Sequence, residues 1–434
     1  MTAVGQDVLA ALKMLRSRVR GRRDREGIGA GDGMTPVPDT AYEAAVYFAD
    51  SPKNLYQIRQ WYEPLRRFSE RHPLVIITRS AKTCLLLQDE APLDVQYCMR
   101  ITELERFVDL QPGIREVFYV NQNRSNLQML GFPGPAHVHI NHGESDKVSM
   151  ASNALKAYDR VFIAGEASRE RILGRLYEFD ADRLIEVGRP QIDVFAPGEV
   201  PLPADGRTVV LYAPTWEGDR PGMSYSSICS HGASIVASLL AEPDVRLIFR
   251  PHPRTGGADR AYGRAERAIE RAISNANRRD PAAGHLIDRG SSWGWQTQAA
   301  DWCICDISSV AYDWVATGKP LLVAETTSTE AVVQEDSLIA RVPKLTAVEA
   351  PAAAAALRRA ADGAHRERLR QLAEHHFGDT TPGASLDRFL GAAEHVWQER
   401  TALTAARIAD RTGVPAGAPG LPPGHRPPPA ARGE

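Results

Sequence analysis

From about residue 45 onward, short apolar runs alternate with longer stretches of helical periodicity, and that alternation constrains the fold more than any other feature of the chain. The runs are Val46-Tyr47-Phe48, Leu74-Val75-Ile76-Ile77, Val117-Phe118-Tyr119-Val120, Val138-His139-Ile140, Val161-Phe162-Ile163 and Leu184-Ile185-Glu186-Val187. A run of four apolar residues that does not alternate with polar ones is a strand buried on both faces, and strands separated by helices pair in parallel through βαβ crossovers. A Pro/Gly-rich break at 196–206 interrupts the series. A second series follows: Val209-Val210-Leu211-Tyr212, Leu247-Ile248-Phe249, His285-Leu286-Ile287, Trp302-Cys303-Ile304-Cys305 and Leu321-Leu322-Val323. The expected fold is therefore α/β, with two Rossmann-like domains facing a cleft: an N-terminal one over 34–195 and a C-terminal one over 207–400 that includes the closing helices.

The ends of the chain differ from this pattern. Residues 1–33 comprise a basic amphipathic segment, 1–26, and a glycine-rich linker, 27–33. Val8, Leu12, Leu15 and Val19 share one helical face, and Lys13 with six arginines crowds the second half. This suits a helix on an anionic membrane surface; a solvated helix or an unstructured tail is the alternative. Residues 401–434 are expected to be a disordered tail, Pro/Gly-rich from about 412. The whole chain has 434 residues and a formal net charge of −2, which argues against a nucleic-acid coat. No apolar run is long enough to span a bilayer, the five scattered cysteines make no disulfide framework, and a reducing cytoplasm is the expected compartment.

Ligands of doubly wound sheets sit beyond the C-terminal ends of the strands. Four such places carry chemistry-bearing residues. The first is His137-Val138-His139-Ile140-Asn141-His142-Gly143-Glu144-Ser145-Asp146-Lys147. Alternation puts His137 and His139 on one side of a strand, while His142 lies beyond it, placed to act as a general base. The His-x-His-x-x-His spacing also resembles the metal loop of the metallo-β-lactamase superfamily, but Asn141 stands where that loop has Asp, and no later ligand series follows. The second place is Arg250-Pro251-His252-Pro253, where Arg and His can donate to phosphate oxygens or can belong to an ordinary surface turn. The third is Asp306-Ile307-Ser308-Ser309 with Asp313, a strand end followed by a helix start; it can bind a diphosphate or simply cap the helix. The fourth is Tyr212-Ala213-Pro214-Thr215-Trp216, where Thr215 can donate and Trp216 can line the cleft.

In this order, these motifs resemble the CDP-glycerol:poly(glycerophosphate) glycerophosphotransferase family. The resemblance runs from about Tyr47 to about Trp397. It also takes in Ser51-Pro52-Lys53-Asn54-Leu55-Tyr56 and Gly188-Arg189-Pro190-Gln191-Ile192-Asp193. The chain departs from the family pattern at Glu144-Ser145-Asp146, where Thr-Pro-Leu is usual, and at Gln191, where Arg is usual. The resemblance implies a GT-B fold, cytoplasmic placement on the inner face of the membrane, and transfer of glycerol phosphate or a related alditol phosphate from a CDP-linked donor. The acceptor would be a hydroxyl of a polymer or lipid-linked chain in teichoic-acid or capsule synthesis. No cofactor, metal or nucleic acid is called for.

The residue roles expected on this basis begin with His142 as general base. Arg250, His252, Ser308, Ser309 and Thr215 would act on the donor diphosphate, His252 doubling as a catalytic group. Asp306 is placed with them, or as a cap or a partner orienting His252. Lys147 and Asn141 are acceptor-side candidates, and Asp313 is a structural helix residue. Two other functions remain open: a GT-B glycosyltransferase using a nucleotide sugar, and a non-catalytic polymer-binding protein at the membrane.

Overall fold

The computed structural model describes residues 21–31, 33–144, 148–194, 202–203, 205–218, 220–290, 293–331 and 337–412. Most of the segment 1–26, part of the linker 196–206 and the tail from 413 lie outside them. Every apolar run read from the sequence is a strand. The first sheet holds β1 (Ala44–Phe48), β2 (Leu74–Thr78), β3 (Asp94–Tyr97), β4 (Glu116–Tyr119), β5 (Ala136–His139), β6 (Arg160–Ile163) and β7 (Leu184–Glu186). The second holds β8 (Thr208–Ala213), β9 (Val245–Phe249), β10 (Leu286–Ile287), β11 (Trp302–Cys305), β12 (Leu321–Ala324) and β13 (Lys344–Leu345). Two of these were not foreseen. β3 carries Asp94 and Gln96, which break its apolar run, and β13 is two residues long.

All pairings are parallel. The first sheet runs β3-β2-β1-β4-β5-β6-β7 and the second β10-β9-β8-β11-β12-β13. In each sheet the winding direction reverses once, between β1 and β4 and between β8 and β11. Loops leave such a switch point in opposite directions and open a crevice there. The central strands β1, β2 and β9 are buried along their whole length, so apolar side chains pack on both faces of each sheet. This is the two-lobed α/β architecture expected.

Three outer segments differ from expectation. The closing helix Ala384–Thr412 returns to the first sheet: Phe389, Ala393 and Val396 join Phe118, Val138 and Phe162 in one core cluster. Its periodicity predicts a helix with one apolar face but does not say which sheet that face covers. The same helix runs through 401–412, where a disordered tail was expected. TALTAARIADRT is rich in good helix formers, and the Pro/Gly-rich composition begins only at Gly413. The glycine-rich stretch 27–33 is docked rather than free, with Ile28 and Ala30 buried against Ala81, Cys84 and Tyr97.

Candidate functional site

His142 stands on the loop after β5, and the backbone there is unusual. Asn141 adopts a left-handed conformation, φ 55°, which asparagine tolerates because its side chain can bond the local backbone. Its Oδ1 accepts from His142 N at 2.8 Å and its Nδ2 donates to Gly143 O at 2.7 Å. Trp61 Nε1 donates to the Asn141 carbonyl. Asn141 therefore shapes the loop that presents His142. The His142 ring sits edge-on to Tyr56, with centroids 5.9 Å apart, and its Nδ1 lies 3.2 Å from Val120 O at the end of β4. That carbonyl can only accept, so it selects the tautomer protonated on Nδ1, whose basic atom is Nε2.

The other two histidines of the motif are structural. His137 engages Tyr119 Oη and Phe132 O through its two nitrogens, both at 2.8 Å, which leaves neither to bind a metal. His139 stacks beside Tyr158 at 5.0 Å, and burial pushes its pKa down to about 3. Among the described residues no group of three or more His, Cys, Asp or Glu is placed to hold a metal ion. Glu144 is buried: Arg171 pairs with it and Ser168 Oγ donates to it at 2.8 Å. It anchors the loop on its own sheet. Lys147 lies outside the described residues.

In the second half, His252 has the opposite tautomer. Its Nδ1 accepts from Arg254 N at 3.1 Å, so the ring proton sits on Nε2 and points a donor outward. Burial, assisted by Arg254, lowers its pKa, which favours the neutral ring. The ring stacks on Trp216, whose other contact is the Arg254 guanidinium 3.6 Å from the indole centroid. Arg250 is tied to Asp288, donates to Gly290 O at 3.2 Å and lies 5.4 Å from the Trp293 ring. Its fork is thereby oriented, and its charge is shared with a carboxylate.

Asp306 is not the cap of the following helix, whose N-cap is Ser308. It is fully buried, and its Oδ2 accepts from Thr215 N at 2.7 Å and Ser227 N at 3.0 Å. The carboxylate stitches together the loops at the β8–β11 switch point, and burial raises its pKa to about 7. The N-cap of helix Ser309–Val315 is Ser308, whose Oγ meets no partner among the described residues, and Ser309 is exposed. Thr215 is fixed through its backbone, its carbonyl accepting from Ser226 Oγ at 2.8 Å. Glu217 takes the amides of Gly256, Ala258 and Asp259 at 2.8–3.0 Å. Burial alone would raise its pKa, but those amides outweigh it and hold the carboxyl low.

The halves meet through Arg189. Its Nε donates to Asp313 Oδ1 at 3.0 Å, its Nη2 to Gln60 Oε1 at 2.8 Å and its Nη1 to the His142 carbonyl at 3.4 Å. Asp313 Oδ2 also accepts from Trp293 Nε1 at 3.0 Å. A continuous relay thus runs from the His142 loop through Arg189, Asp313 and Trp293 to Arg250, with Asp313 on the helix that begins at Ser309. Gly188 makes the turn possible: its φ is 74°, and a Cβ there would lie 2.2 Å from Ser385 Oγ. The motif 188–193 marks this segment in the sequence, but nothing in it reveals that Arg189 crosses to the other half. Glu217, Arg254 and Asp288 carry no motif at all.

Residues 127–329 match the family model described as CDP-Glycerol:Poly(glycerophosphate) glycerophosphotransferase. That segment contains His142, Arg189, Arg250, His252, Asp306 and Ser308, so the motif resemblance and the family match fall on the same residues. Among solved structures, the Wall Teichoic Acid Polymerase TagF in a CDPG soak aligns at 15% identity and TM-score 0.53, over 92% of this chain and 100% of that one. A chain from Listeria monocytogenes assigned provisionally as a UDP-N-acetylglucosamine 2-epimerase aligns at 14% identity and the same TM-score, over 83% and 98%. These likenesses establish the two-domain GT-B-type fold. No curated protein matches the chain. Among the described residues no helix is long and apolar enough to cross a membrane.

Proposed function

We propose that the chain is a glycerophosphotransferase-type enzyme that moves glycerol phosphate, or a related alditol phosphate, from a CDP-linked donor to an acceptor hydroxyl in cell-envelope polymer synthesis. The observation that carries this reading is the family match across the segment whose strand ends hold an acceptor-type imidazole on one sheet and a donor-type imidazole on the other. In this mechanism His142 Nε2 takes the proton of the acceptor hydroxyl as that oxygen forms its bond to the phosphorus nearer the glycerol. The bond from that phosphorus to CMP breaks, and CMP leaves with the electron pair. The Nε2–H of His252, the Arg250 fork and the Ser308 and Ser309 hydroxyls stabilise the oxygens that gain charge. Asn141 positions His142, Thr215 lines the donor loop, and Lys147 is the acceptor-side cation. The domain limits 34–195 and 207–400 belong to this reading, except that the closing helix Ala384–Thr412 goes with the first domain, as does attachment of residues 1–26 to the inner face of an anionic membrane.

A nucleotide-sugar transferase is the second reading, because the fold is equally similar to the Listeria chain. A donor screen separates them. Purified protein is given CDP-glycerol, CDP-ribitol, UDP-N-acetylglucosamine or GDP-mannose with a short hydroxylated acceptor, and the released nucleotide is identified. CMP from a CDP-alditol is the expected result. UDP or GDP release selects the second reading, and no turnover with no calorimetric donor binding selects a non-catalytic role.

A further inference from the structure

The helix Arg260–Arg279 follows the loop that carries His252 and Arg254, and it has an uncommon charge pattern. Arg260, Arg264, Arg267, Arg271 and Arg278 are spaced by four, three, four and seven residues, all exposed. At 3.6 residues per turn these positions fall within an arc of about 60°, in a single file about 27 Å long. The opposite face, Gly263, Glu266, Ile269, Ile273 and Ala276, is buried against the second domain. The only acids on the helix, Glu266 and Glu270, are both taken by Arg289. None of the five arginines forms an ion pair among the described residues.

On two other helices surface arginines are paired along the helix. On Tyr62–Ser69, Arg66 and Arg67 bind Glu63, and Arg66 also binds Glu70; on Gly363–Phe377, Arg370 binds Glu367 and Glu374. Among the described residues no other helix carries a file of five guanidinium groups without an ion pair, and the chain's net charge is only −2. Like charges three and four residues apart repel, and a bound anion would relieve that repulsion. A membrane surface is the poorer match. Helices that lie on bilayers anchor themselves with Trp, Phe or Leu beside the basic residues, and no large apolar side chain of this helix is exposed.

We infer that the arginine file of Arg260–Arg279 is a binding track for a linear phosphodiester polymer, guiding an anionic chain past the donor-side loop. Arginine forks suit successive phosphates, and a single file suits a linear rather than a planar partner. Identifying the polymer as acceptor or product rests on the function proposed above; the polyanion chemistry of the track does not.

The test uses the full chain and fluorescently labelled poly(glycerol phosphate) of one defined length, with binding followed by anisotropy across a salt series. In Arg264→Gln/Arg267→Gln/Arg271→Gln the affinity at low salt is expected to fall tenfold or more. The log–log salt slope is expected to flatten by about two, from three phosphate contacts at roughly 0.7 each. The matching triple Arg→Lys variant keeps most of the affinity, which separates charge from helix damage. Unchanged affinity and slope in the Gln variant overturn the proposal. Loss of binding to phosphatidylglycerol vesicles with polymer binding intact also overturns it, since the file would then read lipid. CMP release from CDP-glycerol with a one-unit acceptor is expected to stay within twofold in every variant. If the native protein turns over no CDP donor yet binds the polymer through the file, the functional reading fails and the track stands; if it turns over the donor but binds no polymer, the reverse holds.

Discussion

The two sheets each reverse their strand order once, and the strand-end loops of the two halves present opposite chemistry. In the first half the carbonyl of Val120, at the end of β4, fixes the proton of His142 on Nδ1 and leaves Nε2 as the basic atom. In the second half a backbone amide occupies Nδ1 of His252 and leaves Nε2–H as a donor. The second half also fills its loop amides with its own carboxylates, Asp306 on Thr215 and Ser227, and Glu217 on three amides of the loop after His252. One lobe thus presents a proton acceptor and the other presents donors on pre-tied loops. A backbone group one bond away decides which role an imidazole can play, and the residue type alone does not.

The sharpest way to break this contrast is to make one substitution on both sides. Glutamine keeps an N–H donor but has no basic nitrogen. His142→Gln is expected to reduce the single-turnover rate roughly 10²–10⁴-fold with donor affinity nearly unchanged. His252→Gln, which retains the donor, is expected to cost far less and to act on the KM for the donor. Equal losses at the two positions would mean that the tautomers do not set the roles.

The next test concerns the link between the halves. Arg189→Ala leaves the buried Asp313 carboxylate without its cation and is expected to destabilise the protein by about 3–5 kcal/mol in urea unfolding. Asp313→Asn combined with Arg189→Ala should cost less than the sum of the single changes, because the pair acts as a unit. Additivity would show that the bridge does not couple the lobes.

The smallest effects are in the pH dependence, where the halves have opposite signs. Burial lowers the pKa of His139 to about 3, so below the unfolded value of about 6.5 the unfolded chain takes up a proton that the native state refuses. Stability is therefore lost as pH falls from about 6.5 toward 3, and His139→Gln is expected to flatten that acid limb. Burial raises the pKa of Asp306 to about 7 against about 3.9 unfolded, so the native state holds a proton that the unfolded chain gives up. Its contribution is lost as pH rises from about 4 to 7, and Asp306→Asn is expected to flatten that limb instead. Urea midpoints between pH 3 and 8 check both, and limbs that move together would refute the assignment.

Much of the fold was legible in the sequence because a doubly buried strand needs an apolar run, and eleven such runs were present, eight of them unbroken. β3 escaped notice since Asp94 and Gln96 sit on an edge strand where polar residues are tolerated. The site was legible as positions but only partly as roles. His142, Arg250 and His252 stand where strand ends put them, whereas Asp306 was read as a ligand-facing acid and is an internal staple.

By itself the sequence determined the two parallel sheets, the helices between them, the motif positions and the arginine periodicity of 260–278, all of which follow from local patterning and burial. Only the tertiary structure decided that the last helix crosses back to the first sheet, that Arg189 bridges to Asp313, and which nitrogen of each histidine carries the proton. Those depend on contacts between residues tens to hundreds of positions apart, and no local period encodes them.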